Sequence, residues 1–305
     1  TLTLTVAASG SNYTITRSAG DWLAGNVKVG AVIRVTAGLN ALSLNKNLMV
    51  IAATATVLTV VVLNGTALTV ESAVAGCTVT VPGMRSWVPL TGHTSESFTI
   101  EHWFSDVAQS EQFTGCRVSQ IDVNLPPTGM ATIKVTFMGK DMVSATAQYF
   151  TTPAALTTSG VLAAVNGALS AQGVVVGLLT GLSFTINCNM SADPVVGSNT
   201  PPDIFAGSVV ITGQASVYFQ DAVFRDYFVN ETEVSLSAAL VTGNAGNADF
   251  ISFAFPRVKF GGSGKNDGQK GIVQTMPFTA LIATNGGTTQ DHEQTTLMIC
   301  DSLAS

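Results

Sequence analysis

Three histidines, four widely spaced cysteines and one glycine-rich run carry most of the chemistry this sequence could offer. Gly261-Gly262-Ser263-Gly264-Lys265 has the composition of a phosphate-cradling loop. That motif needs a glycine five residues ahead of the Gly-Lys pair and a serine or threonine after it. Lys259 and Asn266 occupy those places, so the run reads as a flexible hairpin tip continuing through Asn266-Asp267-Gly268. His93, His102 and His292 lack a second histidine at metal-ligand spacing. Asp291-His292-Glu293 reads as a solvated loop, and His102, beside Glu101 in Phe98–Phe104, as a strand or rim position. No Gly-x-Ser-x-Gly elbow supports serine-hydrolase chemistry. Asp122 and Asp141 could meet other carboxylates only through folding, which spacing does not decide. Cys77, Cys116, Cys188 and Cys300 form no Cys-x-x-Cys pair and sit in apolar or strand-like contexts, which predicts buried free thiols. No catalytic, cofactor or metal site follows from these residues, and the chain reads as non-enzymatic.

The elements that carry these residues are mostly strands. Over residues 1–90, short Thr/Val/Leu segments alternate with turn signals: Asn12–Arg17, Ala31–Thr36, Leu48–Ala53, Val57–Leu63, Leu68–Glu71 and Thr78–Val81. Such spacing predicts a small β-barrel or sandwich module. Asn64-Gly65 between apolar runs predicts a hairpin turn, and Trp22 a core anchor. A boundary near residue 90 is expected at Pro89 through Gly92, leaving residues 91–305 as a second domain.

In that second part, Leu182, Phe184, Ile186, Cys188 and Met190 alternate with Ser183, Thr185, Asn187 and Asn189, as in a strand with one buried and one wet face. Val209–Phe219 and Val234–Leu240 read the same way. Arg117–Leu125 and Met130–Met138 flank Pro126-Pro127-Thr128-Gly129 and predict a long hairpin. One helix is expected, capped by Asp221, with a stripe of Val223, Phe224, Tyr227 and Phe228 and an end at Asn230. A short helical turn is expected within Gly160–Ser170.

Composition narrows the function classes. Charged residues are 10% of the 305, against roughly 25% in an ordinary soluble domain. Two explanations stand at this point: a surface covered by further copies of the chain, or one made polar by Ser, Thr, Asn and Gly. Mean hydropathy is +0.39, yet the most apolar stretch, Gly160 to Leu182, is broken by Asn166, Ser170, Gln172 and Thr180. It does not read as a spanning helix, which needs ~20 predominantly apolar residues. The formal charge of −6 and the absence of a Lys/Arg cluster argue against gripping nucleic acid. A neutral or acidic wall past which DNA slides is compatible with the same charge.

Residues 97–142 carry a resemblance. Ser97-Phe98-Thr99-Ile100-Glu101, Phe104, Asp106-Val107, Phe113-Thr114-Gly115-Cys116 and Phe137-Met138-Gly139-Lys140 resemble the tail tube (major tail) proteins of long-tailed bacteriophages. Pro202-Asp203-Ile204-Phe205-Ala206-Gly207, Phe228-Val229-Asn230-Glu231-Thr232 and Gly271-Ile272-Val273-Gln274-Thr275-Met276-Pro277-Phe278 extend it, so that it covers roughly residues 95 to 300. Tyr13-Thr14-Ile15-Thr16-Arg17, Gly20-Asp21-Trp22-Leu23 and Val29-Gly30-Ala31-Val32-Ile33 resemble a small β module inserted in some of these proteins. The resemblance implies an all-β fold, a β-sandwich flanked by a helix, whose strands join a multi-subunit barrel in stacked hexameric rings. It implies DNA in the lumen without specific binding, no cofactor and no catalysis. It further implies partner tape measure, tail terminator and distal tail proteins, a place in the virion after synthesis in the bacterial cytoplasm, and core strands ahead of the module.

The alternatives are a β-rich, adhesin-like tail protein that recognises a host surface through the first module, and a glycan hydrolase on a β scaffold. For the tube, Trp103, Phe104 and Phe113, between strands, and Pro201, Pro202, Ile204 and Phe205, in a long connection, are the candidate subunit-interface residues. Covering their own core is the competing role for each.

Overall fold

A computed structural model of the chain describes residues 2–89, 96–156, 160–162, 167–176, 179–266, 271–283 and 295–304. Six strands come first: β1 (Leu2–Ser9), β2 (Asn12–Arg17), β3 (Val32–Ala37), β4 (Leu48–Ala53), β5 (Val57–Val62) and β6 (Glu71–Thr80). They close into a barrel in the order β1-β2-β5-β4-β3-β6, which removes every free edge. Alternate residues fill it: Leu4 and Val6, Ile15, Ile33 and Val35, Leu48 and Val50, Leu58 and Val60 are buried together. Trp22 is the expected anchor. It is buried in this cluster, its indole N–H donates to the Thr56 carbonyl at 3.1 Å, and the Arg17 guanidinium lies 4.8 Å from its ring centroid.

Two expectations for this region fail. Asn64-Gly65 turns the chain but makes no hairpin, because β5 is already paired on both sides, with β2 and β4. Leu68–Glu71 and Thr78–Val81 are not two strands. One strand, β6, runs between them, with Ala73 and Gly76 at positive φ breaking its alternation.

The other strands are β7 (Met84–Pro89), β8 (Phe98–Phe104), β9 (Gln109–Leu125), β10 (Thr132–Met138), β11 (Asp141–Ala145), β12 (Gly167–Ala171), β13 (Val174–Val175), β14 (Leu179–Asn187), β15 (Val210–Tyr218), β16 (Val234–Val241), β17 (Phe250–Phe260), β18 (Gly264–Asn266), β19 (Val273–Ala280) and β20 (Thr295–Asp301). They form one 14-stranded sheet with the path β10-β9-β14-β15-β19-β17-β16-β12-β13. The all-β expectation is met. The sheet folds over on itself, since Phe184 of β14 packs against Phe253 and Phe255 of β17 with ring centroids 5.0 and 5.1 Å apart. Three strand spacings in a flat sheet would hold those strands about 14 Å apart. The result is a sandwich with Leu182, Phe184, Ile186, Ile211 and Val217 on one inner face and Leu236, Phe253, Phe255 and Val258 on the other.

The hairpin about Pro126-Pro127-Thr128-Gly129 is present as β9 and β10, with Thr132 opposite Asn124. Leu182, Phe184 and Ile186 are buried while Ser183, Thr185 and Asn187 are half-exposed, as the alternation requires. The helix α1 (Val223–Val229) also matches. Asp221 accepts the Val223 N–H at 3.0 Å, and Phe224 and Tyr227 pack on the core, Phe224 edge-on to Phe260. Val223 and Phe228, expected in the same stripe, are exposed.

Of the stretch expected to hold a short helical turn, residues 167–170 belong to strand β12, which pairs with β16, and residues 163–166 lie outside the described residues. The alternation expected of Val234–Leu240 is corrected. β16 itself has no wet face. Leu236, Ala238 and Leu240 point into the sandwich, and Ala239 and Val241 meet Val32, Met49 and Ile51 of the barrel, with Phe250 and Cys300. β4 is therefore buried on both sides, Leu48 and Val50 inward and Met49 and Ile51 against the sandwich. A polar clamp borders this contact. Arg34 donates to the Asn47 side-chain oxygen at 2.7 Å and to the Asn247 carbonyl at 3.1 Å. The Asn47 amide reaches the Ala248 carbonyl at 2.7 Å, and the Asn64 amide the Ala245 carbonyl. Gly30, at φ +86°, lies so close to β17 that a Cβ there would sit 2.1 Å from that of Ala254.

Candidate assembly surfaces

The outer face of β10, β9, β14, β15 and β19 is a polar wall. Registered across it are Lys134 with Asp122 and Thr136 with Gln120, Asp122 with Thr185 and Asn124 with Ser183, Thr185 with Thr212 and Ser183 with Gln214, and Thr212 with Thr279. Across this overlap the charges are one carboxylate and the ammonium directly opposite it. Asp122 accepts from the Thr185 hydroxyl at 2.7 Å and the Gln120 amide at 2.8 Å. These hydrogen bonds from Thr185 and Gln120 hold its carboxyl below the ordinary range against partial desolvation, with Lys134 adding to the effect. Asp122 thus sits among neutral donors and one cation. Asp141, the other carboxylate singled out, accepts its neighbour's N–H from Met142 at 2.8 Å.

β10 ends the sheet path on one side. Its Ile133, Val135 and Phe137 lie opposite Val123, Ile121 and Val118 of β9, on the core side of the sheet. Yet they remain 55%, 41% and 41% exposed. Among the described residues nothing pairs with the other side of β10, and an apolar row on such an edge is a template for another strand or another surface.

β9 is long enough to serve two structures. Its second half joins the sandwich, whereas its first half pairs with β8 and β11, with Phe113 opposite both Ile100 and Met142. This three-stranded arm places the predicted aromatics. Trp103 and Phe104 face Ser110 and Gln109 near its tip and, like Phe113, are half-buried. His102 is an exposed strand residue stacked on Phe104 at 4.0 Å. His93 and His292 lie outside the described residues. At the base of the arm, Asp203 pairs with Arg117 at 3.2 Å and faces Lys140 at 3.9 Å. The Pro202 carbonyl accepts from Lys140 at 2.5 Å, and the Ile204 carbonyl from Arg117. In this connection Pro201 is half-buried and Pro202 exposed, Ile204 is wholly buried within its own chain, and Phe205 is 57% exposed.

Two features escaped the sequence. Glu101 is a clip: its carboxylate accepts the Ser110 hydroxyl at 2.6 Å and the backbone N–H groups of Tyr149 and Phe150 at 2.6 and 2.8 Å. Desolvation pushes this carboxyl up, but the bonds from Ser110, Tyr149 and Phe150 outweigh it and hold the group below its usual range. Held by their backbones, Tyr149 and Phe150 present their rings edge to face, 4.8 Å apart, with 58% and 43% exposure. The second feature is a cleft of about 440 Å³ at the base of the arm, lined by Phe98, Val118, Ile121, Cys188, Met190 and Val209, with Glu96 and Arg117 also bordering it. Neither has a local signature, because each is assembled from segments tens of residues apart.

Cys77, Cys116 and Cys300 are buried and Cys188 half-buried, all as free thiols. Among the described residues no group of three or more His, Cys, Asp or Glu is placed to hold a metal, and no helix is long and apolar enough to cross a membrane. The sequence matches a family model described as phage tail tube protein over residues 3–280. No curated protein matches the chain.

Proposed function

The chain belongs to the phage tail tube protein family, and from that premise we propose that it polymerises as stacked hexameric rings into the tube through which DNA leaves the virion. The observation that carries this reading is the sheet that the described residues leave open at both ends. Its path begins at β10, which has an uncovered apolar row, and ends at the two-residue β13. A monomer is left with a hazard there; a ring of copies turns the edges into joints.

The polar wall is the surface best suited to the lumen. Hydroxyls and amides offer no cation cluster to hold phosphates, so a duplex passes without the counterion release that drives binding. The barrel packs on the outer side of β16, across the sandwich from that wall. A lumen on the polar side therefore turns the barrel, β1 to β6 of the 1–90 module, to the tube exterior. The tape measure protein would occupy the lumen before ejection, and tail terminator and distal tail proteins would cap the ends. These partners follow from the family, as does residence in the phage tail.

Electron microscopy of the purified chain tests the proposal. Hollow tubes of uniform width are expected. A protein that stays monomeric at high concentration, and is absent from the tails of virions, would overturn it.

A further inference from the structure

Tyr149 and Phe150 form a rigid aromatic knob, and the cleft at Val118 is an apolar socket without an occupant among the described residues of its own chain. They do not meet within one copy, since neither Tyr149 nor Phe150 lines the cleft. Glu101 and Ser110 hold the knob toward the arm tip. The cleft starts at Phe98, three residues before Glu101 along β8 and roughly 10 Å away at about 3.3 Å per residue, and continues to Val118 and Ile121 at the base of the arm. Resting on the tube reading, we propose that the Tyr149–Phe150 knob of one copy seats in the Phe98–Val118–Ile121–Met190 cleft of the next.

Three observations support this pairing. The cleft, about 440 Å³, is in the size class of sites that enclose a drug-sized ligand, roughly 300–1,000 Å³, so two rings fit. The knob is organised in advance, since its backbone donors are tied to Glu101 and little ordering remains to be done on contact. Exposed aromatic pairs of this kind are the usual anchors of interfaces. The contact is also of the right symmetry. Knob and socket are different patches on one molecule, so the joint is head-to-tail, and such joints repeat into rings or filaments instead of stopping at a dimer. The uncovered Phe137, edge-on to Phe98 at 6.2 Å, borders the socket and would be covered by the same neighbour.

Cys188 in the socket wall supplies the test. Tyr149→Cys and Phe150→Cys are made in the full chain, assembled, and oxidised mildly with copper-phenanthroline. A ladder of disulfide-linked multimers is expected from at least one variant, and Cys188→Ser in the same background should abolish it. Tubes that form normally but give no ladder from either variant would overturn the knob-and-socket joint while leaving the tube reading intact. Should the cysteine variants fail to assemble, maleimide labelling of Cys188 in the unaltered protein decides. At least tenfold slower labelling in tubes than in unassembled protein is expected, and equal rates would overturn the proposal. Failure of the unaltered protein to form any tube would instead count against the underlying function.

Discussion

Phe184 of β14 and Phe253 of β17 meet edge to face with centroids 5.0 Å apart, although β15 and β19 separate their strands in the sheet path. That contact marks where the sheet closes over its own core. Truncating a buried phenylalanine removes both transfer energy and packing, typically about 3–5 kcal/mol. Phe184→Ala should lower the stability of the unassembled chain by that amount in urea denaturation. A loss under about 1 kcal/mol would mean that the two layers are not held by this cluster.

The barrel is joined to the sandwich through a buried contact and a close backbone approach at Gly30. Gly30→Val introduces a side chain into Ala254 at a backbone angle that L residues rarely adopt. Limited proteolysis should then cut near Val81–Gly83 much faster than in the unaltered protein. Unchanged cleavage would show that the barrel docks without this approach.

Glu101 has a lowered carboxyl pKa in the folded chain, with desolvation opposing and the hydrogen bonds from Ser110, Tyr149 and Phe150 prevailing. A group lowered in this way contributes fully above its unfolded value, and the contribution disappears as pH falls through the folded one. Amide exchange at Tyr149 and Phe150, corrected for intrinsic rates, should therefore be slow near neutrality and accelerate only below the ordinary carboxylate range. Glu101→Ala should exchange fast at every pH, and equal protection in the two proteins would refute the clip.

Val135 is 41% exposed on the core side of the edge strand. Val135→Lys puts a charge where a neighbouring copy must cover apolar surface, while the free chain keeps it in solvent. Sedimentation should show unassembled protein whose melting temperature stays within a few degrees of the unaltered chain. Tubes forming normally from this variant would remove β10 from the joint.

Much of this architecture was legible residue by residue. The period-two alternation of Leu182 to Asn187 reports burial on one face because it depends only on the pleat of the strand carrying it. The β2 and β4 segments, the Pro126-Pro127-Thr128-Gly129 hairpin, the Asp221 cap and the anchor Trp22 are equally local, each written in a few adjacent side chains.

What tertiary structure decided is which surface covers which. Thr132 to Met138 alternates much as β14 does, yet its apolar row is left bare because no other described segment packs over it, whereas Ala239 and Val241 are covered by Met49 and Ile51 of the barrel. Gly167 to Ala171 form a strand because the edge of β16 offers them hydrogen bonds. Asn64-Gly65 failed as a hairpin because β5 had no free edge left. Alternation and turn chemistry are properties of neighbours along the chain, and the sequence by itself determined them. Coverage, edges and the meeting of Glu101 with Tyr149 are properties of neighbours in space, which only the folded chain brings together.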